Sequence, residues 1–168
     1  MKPTRLVAVL LLLGSVVCAQ QTRDPAGAEF DQLKSLAGDW DATAVENGKE
    51  MSATITFRLA SGGSVLVSDL APGTPHEMIT MFHRDRGDLL ATHYCMAGNQ
   101  PRMRAEATSD PNVLSFVFKD ATNLPDSAAP HMEGVKFTFL DANHHVEEWT
   151  VVAGGKSSIR KFDCKRKA

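Results

Sequence analysis

From Gly38 to the C-terminus, apolar and polar residues alternate with period two in one segment after another. The clearest segment is Glu50–Leu59, whose odd-numbered residues are apolar: Met51, Ala53, Ile55, Phe57 and Leu59. Side chains along a β-strand point alternately to its two faces, so this pattern indicates strands with one buried face. No convincing helical pattern interrupts the series. The chain beyond Gly38 is therefore predicted to be all-β.

Ten such segments are separated by short connections rich in Gly, Pro, Asn and Asp, which are turn residues. The predicted strands are Gly38–Val45, Glu50–Leu59, Ser64–Leu70, His76–Arg84, Leu89–Cys95, Pro101–Thr108, Val113–Lys119, Met132–Leu140, Asn143–Ala153 and Lys156–Cys164. Closing these strands into one antiparallel up-and-down barrel removes the exposed edges of an open sheet. We therefore expect a single barrel of about ten strands.

One short helix precedes the strands. Phe30, Leu33, Leu36 and Ala37 recur at helical spacing, and Gly38 is a typical residue at which a helix stops. A helix over residues 29–37 is too short to be stable alone, so we expect it to plug one end of the barrel. The domain is thus predicted to span residues 29–168, after a flexible leader at residues 20–28.

Residues 1–19 are typical of a signal peptide. A basic start with Lys2 and Arg5 is followed by a 12-residue apolar stretch and by Val17-Cys18-Ala19, which resembles a cleavage site. The apolar stretch is shorter than the roughly 20 residues that span a bilayer. Cleavage after Ala19 would leave a periplasmic or secreted protein with no stable membrane anchor. Attachment of a lipid anchor at Cys18 is the alternative.

Composition after this segment limits the kinds of partner. The remaining 149 residues contain 16 basic and 20 acidic side chains, a formal net charge of −4. Apart from the tail Lys165-Arg166-Lys167, no basic cluster stands out, which argues against nucleic acid as a partner. The sequence leaves the oligomeric state open.

Two cysteines remain in the mature chain, Cys95 and Cys164. An even number of cysteines in an exported protein favours a disulfide. In a barrel with sequential strands, however, these residues lie on opposite sides, whereas a disulfide needs Cα atoms within about 7 Å. Two free thiols are the expectation, and a disulfide is the alternative.

The short helix followed by Gly38-Asp39-Trp40 resembles the entry to calycin barrels, the group of lipocalins, fatty-acid-binding proteins and their relatives. Residues 143–162, with His145, Trp149 and Phe162, also look like the C-terminal hairpin of bacterial lipocalin-like domains of unknown function. In calycins a basic side chain from the last strand commonly covers the first-strand tryptophan. The resemblance therefore implies that Arg166 closes the barrel over Trp40 through a cation–π contact.

A ten-stranded barrel is wide enough to enclose a cavity unless large side chains fill it. The predicted function is binding of a small apolar or amphipathic molecule in that interior, oriented by a few polar groups. A cluster around the turn between the fifth and sixth predicted strands supplies polar candidates, and the inward strand faces supply an apolar lining. The predicted ligand-binding residues are His93, Tyr94, Asn99, Gln100, Arg102, Met103, Phe57, Phe137 and Trp149.

Other functions stay open. A small exported enzyme on a calycin barrel is one alternative, although no familiar catalytic motif occurs, and a filled structural or interaction barrel is another. His93, Cys95 and Met96 offer soft metal ligands, but Met96 points to the strand face opposite His93 and Cys95, so no metal site is predicted. No cofactor is predicted, except that the calycin resemblance admits haem held by His93 or His145.

Overall fold

The protein forms a closed ten-stranded barrel with one α-helix, as seen in a computed structural model that describes residues 24–46 and 49–168. The signal-peptide prediction for residues 1–19 and the question of lipidation at Cys18 lie outside the described residues. The elements are α1 (Pro25–Lys34), β1 (Gly38–Glu46), β2 (Lys49–Ala60), β3 (Val65–Leu70), β4 (Met78–Asp85), β5 (Asp88–Tyr94), β6 (Gln100–Glu106), β7 (Val113–Thr122), β8 (His131–Asp141), β9 (His144–Ala153) and β10 (Lys156–Arg166).

Each strand pairs antiparallel with the next, and β1 pairs with β10 to close the ring. The closing register sets Trp40 opposite Arg166 and Ala44 opposite Phe162. The predicted fold class and strand number are confirmed. Closure gives every strand two neighbours, which satisfies backbone groups that an open edge would leave unpaired.

The helix begins four residues earlier than the apolar spacing predicts. Asp24 caps it, since its Oδ1 accepts the backbone N–H of Gly27 at 3.2 Å, and Pro25 occupies the first turn. Residues 25–28, expected to be part of a flexible leader, are therefore helical. The helix ends at Lys34. A tighter turn follows, in which the Leu36 N–H donates a hydrogen bond to the Leu33 carbonyl at 3.0 Å.

The helix covers one end of the barrel, and large side chains fill the interior beneath it. Phe30 and Leu33 of α1 are buried there, together with Trp40 of β1. Behind them lie further buried side chains from most strands: Ile55, Phe57, Leu66, Phe82, Met103, Phe116 and Phe137. This end is packed solid, so any cavity has to lie toward the opposite end, where β1 meets β2 and β3 meets β4.

Arg166 seals the packed end. Its guanidinium carbon lies 4.2 Å from the centre of the Trp40 ring, which is the predicted cation–π contact. The same guanidinium donates to the carbonyls of Ser35 at 2.7 Å and Ala37 at 2.8 Å. Gly38, at φ +132°, leaves room for it, because a Cβ there would lie 2.8 Å from Arg166 Nη1. The Gly-x-Trp motif thus has a steric explanation.

Candidate functional site

The end of the barrel opposite the helix contains a cavity of about 800 Å³. It lies within the range of roughly 300–1,000 Å³ that is usual for small-molecule sites. The β3–β4 connection and the β5–β6 turn border it, through Ala71, Pro72, Thr74 and His76 and through Met96. The barrel interior is therefore filled at one end and open at the other.

The cavity wall combines flexible apolar side chains with a smaller number of buried polar ones. The apolar lining residues are Met51, Ala53, Leu70, Ala71, Pro72, Met78, Met96, Met132, Trp149 and Phe162. Four of them are methionines, whose unbranched side chains adapt to irregular ligands. Such a wall can adapt its shape to different apolar molecules.

One wall carries a buried polar row across three adjacent strands. The register sets Ser68 of β3 opposite Thr80 of β4, and Thr80 opposite His93 of β5. All three side chains are buried and line the cavity. Thr80 Oγ1 lies 2.8 Å from His93 Nδ1, while His93 Nε2 is buried without a partner among the described residues.

Burial lowers the pKa of His93 to about 4, because a charged imidazolium would lose its hydration in this wall. The imidazole is therefore neutral at physiological pH. A neutral ring keeps one nitrogen as an acceptor, and which nitrogen carries the proton depends on whether Thr80 donates or accepts.

This shift predicts a pH dependence of stability. The unfolded chain takes up a proton on His93 below about pH 6.5, whereas the folded protein does so only near pH 4, so folding is penalised as the pH falls between these values. From pH 7 to pH 5 the penalty grows by about 2 kcal/mol. Denaturant unfolding of the wild type and of His93→Gln at both pH values measures it. An equal pH dependence in the two proteins would contradict the assignment.

Glu147 and Trp149 of β9 line the cavity and belong to a second polar group. Trp149 Nε1 donates to Glu147 Oε2 at 2.8 Å, and His145 Nε2 lies 3.1 Å from Glu147 Oε1. Glu147 is 1% exposed, and His145 is fully buried, with its ring centre 4.3 Å from that of Trp40. This network connects the cavity to the packed end of the barrel.

His145, Glu147 and Cys164 bring potential metal-ligand atoms within 4.8 Å of one another. Cys164 lies opposite His145 in the β9–β10 register. Burial raises the pKa of the Cys164 thiol, and the nearby Glu147 carboxylate raises it further, so the thiol stays protonated. Glu147 meets both His145 and Trp149, so these side chains form one connected polar network inside the barrel.

Of the predicted ligand-binding residues, the structure places only His93 and Trp149 in the cavity wall. Phe57, Met103 and Phe137 do point inward, but they lie in the packed end. These three residues therefore do not line the cavity as predicted. The inward face of one strand runs through both the filled and the open half of the barrel, so pointing inward does not place a residue in the cavity wall.

The remaining predicted residues lie outside the cavity. Tyr94 is 44% exposed on the outer surface, and Arg102 makes an outer ion pair with Asp120 at 2.6 Å. Asn99 is buried but donates to the Pro130 carbonyl at 2.8 Å, and Gln100 Oε1 accepts from Thr122 Oγ1 at 2.7 Å. These residues hold the β5–β6 turn to its neighbours, which is the structural role that polar turn residues often have.

Sequence reasoning missed Glu147, Thr80 and Ser68. Their position follows from register, which one strand read alone does not reveal. Glu147 did carry a signal, since it lies two residues from Trp149 and therefore on the same strand face. Glu147 and Glu148 point to opposite faces of β9, since Glu148 pairs with Lys136 while Glu147 is buried.

Cys95 and Cys164 are free in the structure, and four strands separate β5 from β10 around the barrel. The alternative of a disulfide between them is wrong. We expect two thiols per chain when the mature protein, purified under oxidising conditions, is titrated with a chromogenic thiol reagent in denaturant. Titration of no thiols in a monomer would contradict the strand order.

No helix in the described part of the chain is long and apolar enough to span a membrane. The sequence matches no protein-family model and no curated protein. Among solved structures, the chain is similar to Rv2717c from M. tuberculosis, with 14% sequence identity and a TM-score of 0.53. The similarity covers 86% of this chain and 98% of Rv2717c, and it shows a shared barrel fold.

Proposed function

We propose that this protein is an exported, lipocalin-like barrel that binds one small apolar or amphipathic molecule in its interior. The observation that carries this proposal is the cavity of about 800 Å³, apolar over most of its wall and supplied with a few buried polar groups. Such a combination favours one orientation of the ligand, because its polar part has to meet those groups. Export rests on the N-terminal sequence pattern of residues 1–19.

Two arguments favour binding over the alternative of a filled structural barrel. The interior is packed beside the helix but leaves a large volume at the opposite end, bordered by loop residues such as Pro72 and His76. A filled structural barrel packs its interior with side chains, whereas a large accessible apolar surface is typical of a binding groove. An apolar ligand would cover that surface.

A haem is a special case of this proposal, and His93 suits it better than His145. His93 lines the cavity, with Nδ1 2.8 Å from Thr80 Oγ1 and with no partner for Nε2 among the described residues. His145 instead directs Nε2 to Glu147 and packs against Trp40 away from the cavity wall. If bound, haem would supply an iron centre for redox or gas-binding chemistry. His93 is the residue that would hold it, and the methionine-rich wall would supply an apolar surface around it.

Native mass spectrometry of the mature protein from its own host tests the proposal. We expect a complex heavier than the polypeptide by the mass of one small molecule, which is lost when the protein is denatured. An absorption spectrum of the same sample separates haem from other ligands by its Soret band. Bare polypeptide that also fails to bind the neutral apolar fluorophore N-phenyl-1-naphthylamine would contradict the proposal.

A further inference from the structure

The cavity contains one deeply buried carboxylate, that of Glu147. It is 1% exposed and lies on the inner face of β9, opposite Phe162 in the register with β10. Its two oxygens each meet one ring nitrogen, from Trp149 and His145. A carboxylate oxygen has two lone pairs, so each oxygen keeps capacity for one further donor.

The polar row on the other wall brings no compensating charge. Ser68 and Thr80 are neutral, and His93 is neutral because of its burial. The Ser68 and Thr80 hydroxyls can each accept as well as donate a hydrogen bond, and the neutral His93 ring has one donor and one acceptor nitrogen. The inner part of the cavity therefore offers acceptors to a ligand donor, and Glu147, which lies beside His145, is its buried acidic side chain.

Positive charge among the lining residues lies nearer the mouth. Arg160 of β10 is exposed and lies opposite Trp149 of β9 in the strand register. This level of the barrel is two residues nearer the mouth than the level of Phe162 and Glu147. His76 belongs to the exposed β3–β4 connection. A ligand anion placed at the inner end would face the Glu147 carboxylate in a medium of low dielectric constant, where like charges repel strongly.

From this distribution we infer that the molecule bound in the cavity carries a hydroxyl or amine at its inner end and not a carboxylate. A hydrogen-bond donor at that end meets Glu147 or the Ser68–Thr80–His93 row, while the apolar body of the ligand contacts the methionines of the cavity wall. This inference rests on the proposed binding function and, for ligands other than haem, narrows the class to apolar alcohols and amines, as opposed to fatty acids.

A matched series of ligands tests the inference. 1-Decanol, decylamine and decanoate share one alkyl chain, and at about pH 7.5 they are neutral, cationic and anionic. Each is titrated against the protein loaded with N-phenyl-1-naphthylamine, and loss of fluorescence reports displacement. We expect decanol and decylamine to bind at least about tenfold more tightly than decanoate, a difference of about 1.4 kcal/mol.

Two variants identify the group responsible. Glu147→Gln removes the buried charge and keeps the side-chain shape, so it should bring decanoate within about threefold of decanol. Glu148→Gln is the matched control on the outer face of the same strand and should leave the preference unchanged. Equal or tighter binding of decanoate by the wild type overturns the inference even if Glu147→Gln fails to fold. Failure of every probe to bind, fluorophore included, would reject both the inference and the proposed function.

Discussion

Trp40→Ala should lower the free energy of unfolding by about 3–5 kcal/mol, the range for removing a large aromatic side chain from a core. Trp40 is 1% exposed, and its Nε1 donates to the Leu36 carbonyl at 2.8 Å. It also contacts the ring of His145 and supports the Arg166 guanidinium. Its loss therefore opens a void between the helix, β1 and β10, at the point where the barrel closes.

Denaturant unfolding followed by circular dichroism measures this loss. Trp40→Phe is the matched control, since it keeps an aromatic ring and removes only the indole hydrogen bond and part of the contact area. It should cost clearly less than Trp40→Ala. Unchanged stability of Trp40→Ala would show that Trp40 does not belong to the core.

Phe137→Ala should also lower the free energy of unfolding by about 3–5 kcal/mol, and yet it should leave ligand affinity within about twofold of wild type. Phe137 is fully buried, with ring centres of Phe82 at 5.8 Å and Phe116 at 6.4 Å. It lies in the packed end and does not line the cavity. Its truncation removes packing without removing a ligand contact.

Unfolding and titration with N-phenyl-1-naphthylamine are measured on the same preparation of this variant. Phe137→Leu is the control, because it retains most of the apolar volume and should recover much of the stability. A loss of affinity of about tenfold in Phe137→Ala, under conditions where it is folded, would place Phe137 in the binding site and contradict the division of the interior.

The sequence predicts the barrel well because alternation is a local property of each strand. Ile55 and Phe57 of β2 point inward as their spacing requires, and both are buried. Element ends are less predictable: the helix begins at Pro25 because of the Asp24 cap, while the apolar spacing starts only at Phe30. Alternation thus determines faces, and capping and turn geometry determine where an element begins.

The candidate site is less predictable because depth along the barrel is not encoded in one strand. Phe137 and Trp149 both point inward, yet Phe137 lies in the packed half and Trp149 lines the cavity. The Ser68–Thr80–His93 row depends on the register of three strands. The cluster around Asn99 and Arg102 resembles a ligand site in the sequence. In the structure Asn99 holds a turn through a hydrogen bond, and Arg102 forms an ion pair on the outer surface.

The central claim is that the open half of the barrel binds an apolar molecule, and a titration with N-phenyl-1-naphthylamine tests it most directly. Met78→Trp places a bulky indole in the cavity wall, whereas Ile79→Trp, one residue further along β4, faces outward and does not line the cavity. We predict saturable binding at one site per chain, weakened about tenfold or more by Met78→Trp and unchanged by Ile79→Trp. Absence of saturable binding by the wild type, or equal affinities in the two folded variants, would contradict the account.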